Sequence, residues 1–183
     1  MAVSAPRSDP PAPAIQPDVK DWTWVLDRRC EECGFDPGGV SRENLAGRMA
    51  AGAAVWPNRL AADDARRRPL PSVWSPTEYA AHVRDMAGVM AERLALIITE
   101  DDPLFANWDQ DAAALAADYA SADPGEVAGQ VRSAVGSLAS AYEAVAGEQW
   151  DRPGRRSNGS VFTAYTLGVY ALHDLEHHIH DVA

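Results

Sequence analysis

The stretch Ser75-Pro76-Thr77-Glu78-Tyr79-Ala80-Ala81-His82 and the residues behind it decide the fold. Ser is a favoured N-cap, Pro suits the first helical position, and Glu three residues after the cap closes a capping box. Behind that start, Tyr79, Val83, Met86, Met90, Leu94 and Ile97 recur at steps of three and four. That is one apolar face of a helix of about five turns. The same start recurs at Asp123-Pro124-Gly125-Glu126, ahead of a face made by Val127, Val131, Val135, Leu138, Tyr142 and Val145. Upstream, Ser41 is expected to cap a first helix carrying Leu45, Met49, Trp56 and Leu60, broken by Arg66-Arg67-Arg68-Pro69-Leu70-Pro71. Downstream, Ser160 is expected to cap a last helix running to about Asp181. A short Ala-rich helix is predicted from about Asp111 to Ala120, and 101–110 and 147–160 read as loops. No stretch alternates with period two for long enough to predict a strand, and no repeat of 20–50 residues is present. Four long helices and one short one predict an all-α bundle.

The N-terminal part reads differently. Residues 1–18 are rich in Pro, with Ala, Ser and Asp between, and predict a flexible tail. Residues 19–40 hold Trp22, Trp24, Val25 and Leu26, which want burial, and end in a Gly/Pro turn. They predict an ordered arm lying on the bundle of 41–183. The chain has 183 residues, enough for one domain with a full core. Its 16 basic and 27 acidic side chains leave a net charge of −11. That surface argues against nucleic-acid binding and against an anionic membrane. No run is long enough to span a bilayer, and no secretory signal is recognised. The only two Cys sit in one C-x-x-C, which is not a secreted disulfide framework. A cytoplasmic location is expected.

The His residues carry the chemistry. There are five: His82, His173, His177, His178 and His180. His173 and His177 stand at i,i+4 and project from one face, the spacing two nitrogen ligands need to reach one ion. That face runs back through Val169, Thr166 and Phe162, so it points into the bundle. His82 faces inward from another helix. Three imidazoles suit Zn, Ni or Fe and leave a coordination position open, the arrangement of a catalytic site. The plainer alternative is three hydrogen-bonded core His. His178 lies about 100° around the helix from His177 and is the weakest candidate for the same ion. Glu176 is a candidate for orienting a ligand His or for a general base, with a salt bridge to a neighbouring helix as the alternative. Asp174 and Asp85 are similar candidates, and Arg84, Arg155 and Arg156 read mainly as solvated surface.

Cys30-Glu31-Glu32-Cys33-Gly34 resembles one knuckle of a zinc ribbon whose second knuckle is missing. Three readings stay open. It is a half-site completed by His178 or His180 if the arm crosses the last helix, a redox pair, or a turn with two idle thiols.

Four motifs in order resemble the DinB-like superfamily. They are Ser75 to His82 with Trp74 before it, Asn107-Trp108-Asp109-Gln110-Asp111, Gln149-Trp150-Asp151-Arg152-Pro153-Gly154, and His173-Asp174-Leu175-Glu176-His177. The resemblance spans roughly residues 40–183. It implies a four-helix up-down-down-up bundle that binds a divalent metal through His82, His173 and His177, with Zn, Ni or Fe as the ion. Members that look like this include mycothiol- and bacillithiol-dependent S-transferases and a maleylpyruvate isomerase, and such bundles often form homodimers. The composition agrees: 15 Arg against one Lys, with abundant Ala, is the bias of GC-rich codons, and mycothiol belongs to high-GC Gram-positive bacteria. The expected function is therefore a thiol S-transferase or thiol-dependent isomerase, in which the metal turns a thiol into a thiolate that attacks a small electrophile. Two alternatives stand beside it. One is a metal-dependent hydrolase, with hydroxide in the thiolate's place. The other is a non-catalytic metal-binding stress or interaction protein.

Overall fold

A computed structural model describes Ile15 and residues 21–183 of the chain. The Pro-rich tail predicted at 1–18 lies outside the described residues except for Ile15. The bundle is built from α1 (Leu45–Ala53) with its short continuation α2 (Trp56–Leu60), α3 (Pro76–Thr99), α5 (Pro124–Glu143) and α6 (Ala164–Asp181). A small helix, α4 (Gln110–Ala116), follows α3. Helices α1 and α3 each pack against both α5 and α6, so each of these pairs lies across a diagonal of the bundle. Among the described residues, no helix is long and apolar enough to cross a membrane.

Each start follows local chemistry. Ser75 accepts from the Glu78 amide at 3.3 Å, and Glu78 accepts from the Ser75 amide at 2.8 Å. The Glu78 carboxylate also takes a forked contact from Arg68. Burial pushes its carboxyl up, but Arg68 and Ser75 outweigh that and hold it below its ordinary value. Removing the charge in Glu78→Gln leaves Arg68 without its partner and weakens the cap. About 2 kcal/mol of stability should go, read from urea unfolding.

Four local expectations are corrected. The first helix is interrupted after Ala53, because Pro57 has no amide to continue the ladder. Its start is not capped by the Ser41 side chain; instead Asn44 reaches back to the Ser41 amide at 2.9 Å. The last helix starts at Ala164, capped by Thr163, because 161–163 is extended. The two loops also hold strands: β1 (Leu104–Phe105) runs parallel to β2 (Pro153–Arg156), which pairs antiparallel with β3 (Val161–Thr163). Strands this short show no alternation in the sequence. Gly154 is required there, since a Cβ on it would lie 2.6 Å from Ile97 Cγ1.

The core side of α6 comes close to its neighbours. A Cβ at Gly168 would sit 2.6 Å from Leu45 Cδ2 and 2.8 Å from the Tyr142 ring, and one at Gly52 would sit 2.8 Å from Leu175 Cδ2. The arm lies on the other side of α6. Its single-turn segment Trp22–Leu26 is capped by Asp21, which accepts from the Thr23 amide at 3.0 Å. Further along, the Tyr165 hydroxyl donates to the Val40 carbonyl at 2.8 Å. Trp22 stacks on Trp24 and rests on His173 and His177.

Candidate metal centre

The side chains expected to share one ion are divided between two clusters. His82 joins Asp174 and His178, with one donor atom of each lying within 4.8 Å of the others. His173 and His177 join Cys30 and Cys33 under the same limit. His82 is not brought together with the His173–His177 pair in either cluster. The reason lies in α6, which carries two i,i+4 pairs offset by one residue. His173 and His177 face the arm. Asp174 and His178, about 100° further round, face α3.

In the first cluster His82 Nε2 lies 3.2 Å from Asp174 Oδ1, and His178 Nε2 lies 3.7 Å from the same oxygen. The two rings stand perpendicular, with centroids 4.8 Å apart. His82 is fully buried and is held between the Trp74 and Trp108 rings. Its Nδ1 meets no hydrogen-bond partner among the described residues. His178 Nδ1 lies 2.8 Å from Asp181 Oδ2, a carboxylate that fixes the ring and leaves Nε2 to the cluster. Burial pushes the Asp174 carboxyl up, but His82 and His178 prevail and bring it down to about 2. Asp174 is therefore an anionic donor at any ordinary pH. One carboxylate oxygen and two imidazole nitrogens form a donor set that fits a divalent transition metal and leaves positions free.

In the second cluster His177 Nδ1 lies 3.8 Å from Cys30 Sγ. Its other nitrogen faces carboxylates, Glu32 at 3.7 Å and Asp181 at 3.8 Å. His173 Nε2 is buried without a hydrogen-bond partner among the described residues. Burial and the neighbouring His177 push the His173 imidazole down to about 4, and burial lowers His177 as well. Burial raises the Cys33 thiol to about 11. The unfolded chain takes up a proton at position 173 near the ordinary value of about 6.5, whereas the folded protein does so only near 4. Stability of the metal-free protein should therefore fall as pH drops across that window. Urea unfolding measured at several pH values checks this, and the slope should flatten in His173→Gln.

The remaining candidates fall elsewhere. Glu176 is two residues past Asp174 on α6 and faces α1, where Arg48 donates to both its oxygens at 2.9 and 2.7 Å. The salt-bridge alternative holds for it. His180 is exposed and lies in neither cluster, and His178 belongs with His82 rather than with the Cys pair. Asp85 is taken by Arg84 and by the Tyr119 hydroxyl. Arg155 pairs with Asp102, and Arg156 with Asn158 and Ser160. Trp150 is a core anchor stacked on Tyr142, whereas Trp108 packs on His82. Asp174 is the residue that sequence reasoning set in a supporting role. Its D-x-x-x-H spacing to His178 carried the same signal as H-x-x-x-H.

A cavity of about 290 Å³ opens against α6, lined in part by Trp22, Trp74, Tyr79 and Asp111 and by both pairs of α6, His173 with His177 and Asp174 with His178. Glu32 of the arm and Asp181 also face it. The sequence profile of the DinB superfamily matches residues 48–182. The chain belongs to the DinB superfamily. A solved structure with the same fold is YfiT from Bacillus subtilis, described as a probable metal-dependent hydrolase with an unusual four-helix bundle topology. The two share 18% identity over 78% of this chain and 86% of that one, with a TM-score of 0.68. At that identity the likeness is one of fold. No curated protein matches the chain. The DinB-superfamily match leaves out residues 21–40, so the arm and its Cys pair lie outside the matched segment.

Proposed function

We propose that this DinB-superfamily protein is a metal-dependent enzyme whose divalent cation is held by His82, Asp174 and His178. The observation that carries the reading is the meeting of three donors from α3 and α6 beside a cavity, with Asp174 as their common partner. Such a cation supplies Lewis acidity, lowering the pKa of a thiol or a water at its free positions. The protein's own groups do the rest. Asp181 holds His178 in one tautomer, and Trp74 and Trp108 keep water from His82. Glu32, Asp111 and Asp181 on the cavity wall accept hydrogen bonds and repel anions. With the Trp22, Trp74 and Tyr79 rings they suit an uncharged polyhydroxylated ligand, the chemistry of a sugar-bearing thiol such as mycothiol. The proposed reaction is transfer of that thiol to a small electrophile, with the cavity holding the two side by side.

A second reading is hydrolysis, with water in the thiol's place. It is favoured by the description of YfiT. One assay separates them. The protein is loaded with Zn, Ni or Fe and given a bimane electrophile with and without mycothiol, then an activated ester alone. Conjugation that needs both metal and thiol, and that His82→Ala abolishes, is the expected result. Ester turnover without thiol selects the hydrolase. Metal bound at these residues without either activity would overturn the enzyme reading.

A further inference from the structure

We propose that Cys30, Cys33, His173 and His177 hold a structural zinc ion that fastens the N-terminal arm to α6. The proposal stands apart from the cation at His82, Asp174 and His178 and uses none of its ligands. Four donors of the types zinc takes come from two segments far apart in the chain and meet within 4.8 Å. One edge of the group, His177 Nδ1 to Cys30 Sγ, spans 3.8 Å. Zinc bonds of about 2.0 Å to nitrogen and 2.3 Å to sulfur require a tetrahedral nitrogen–sulfur edge of about 3.5 Å, so the ion draws these two donors together by only a few tenths of an ångström.

The surroundings point the same way. His173 Nε2 is buried and finds no hydrogen-bond partner among the described residues, a cost that a metal bond removes. The far nitrogen of His177 faces Glu32 and Asp181, as the outer nitrogen of a zinc-bound His faces a carboxylate. The turn between the Cys residues is already closed. The Gly34 amide donates to the Cys30 carbonyl at 2.9 Å, the Cys30 amide donates to the Phe35 carbonyl at 2.8 Å, and Gly34 takes a φ of +80°.

Charge decides the role of the site. Both thiols lose their protons to solvent when zinc binds, and two thiolates with two neutral imidazoles cancel the ion's charge. A neutral, four-coordinate centre belongs in a buried place, has no position left for substrate, and is structural. The other cluster balances one carboxylate against a divalent ion and keeps positions free. The missing second knuckle of the ribbon is thus supplied by a helix of the bundle.

Cobalt substitution of the full chain tests this. After chelation and reloading, wild type should show a near-ultraviolet thiolate-to-cobalt charge-transfer band and strong visible absorption of tetrahedral cobalt. His82→Ala should keep the thiolate band and lose one metal. Cys33→Ser and His177→Ala should lose the band and keep the metal bound through His82. The wild-type spectrum settles the matter even where a variant fails to fold. A folded, cobalt-loaded wild type without the thiolate band overturns the proposal. So does a Cys30–Cys33 disulfide in the isolated protein, or a single metal per chain lost in His82→Ala and His177→Ala alike. A missing thiolate band or a disulfide leaves the open site at His82, Asp174 and His178 untouched, whereas a single metal lost in both His variants counts against that site as well.

Discussion

Asp174→Asn should empty the open site and lower kcat/KM by at least about 100-fold, the upper end of what losing an outer partner of a metal ligand costs. Asp174 is the one anionic donor in its cluster, and both imidazoles of that cluster aim at its Oδ1, at 3.2 and 3.7 Å. Its carboxyl is held down to about 2, so the wild-type donor is charged across the working range while Asn never is. The two side chains have nearly the same size, so the packing around position 174 is undisturbed. Metal analysis and steady-state kinetics on the same samples give the answer. The thiolate–cobalt band should persist, since Asp174 is not among the four donors of the closed site. Glu176→Gln serves as the control: it breaks the Arg48 ion pair and should leave kcat unchanged. An Asp174→Asn protein with full metal content and activity would count decisively against the site.

Replacing Cys30 and Cys33 together by Ser should lower the melting temperature of the zinc-loaded protein by roughly 10 °C. A ligand at a thousandfold excess over its Kd stabilises the fold by about 4 kcal/mol, and each kcal/mol is worth roughly 2–4 °C in a chain of this size. Loss of zinc should be felt first in the arm. Trp22 rests on His173 and His177, and it should become exposed, shifting the Trp fluorescence to the red. Protease should then cut between residues 21 and 40 while leaving the bundle whole. A strong chelator on wild type should reproduce each effect. An unchanged melting temperature and an uncut arm in the double variant would remove the stabilising role.

The helices were legible because their starts and faces are written locally. Ser75 and Asp123 act as caps as their spacing predicts, and the faces of Val83 to Ile97 and Val127 to Val145 are buried. Pro57 was also visible, but its effect depends on where the preceding turn ends. The three strands escaped notice because two to four residues carry no period. The His cluster on the last helix was equally legible as a place of chemistry. Its division was not, because His173/His177 and Asp174/His178 have the same spacing, and only the rotation of α6 says which pair faces α3. The three-His set is expected from the H-x-x-x-H spacing and from the resemblance, and neither carries the rotation of α6. The Cys pair leaves three readings open, and only the path of the arm across α6 brings it beside His173 and His177 rather than His178 or His180.

Two adjacent residue pairs on α6 serve two sides of the molecule, and that has a mechanical meaning. Turning the helix to improve one set of contacts moves the other away, so α6 has a single workable angle about its own axis. An insertion of one residue between Gly168 and His173 would turn the downstream pairs by about 100° and hand each to the wrong neighbour. Asp181 ties the arrangement further, lying 2.8 Å from His178 and 3.8 Å from His177. The last helix thus behaves less like a replaceable strut than like a key cut on two edges, and its length and phase should tolerate change far less than its outward-facing side chains do.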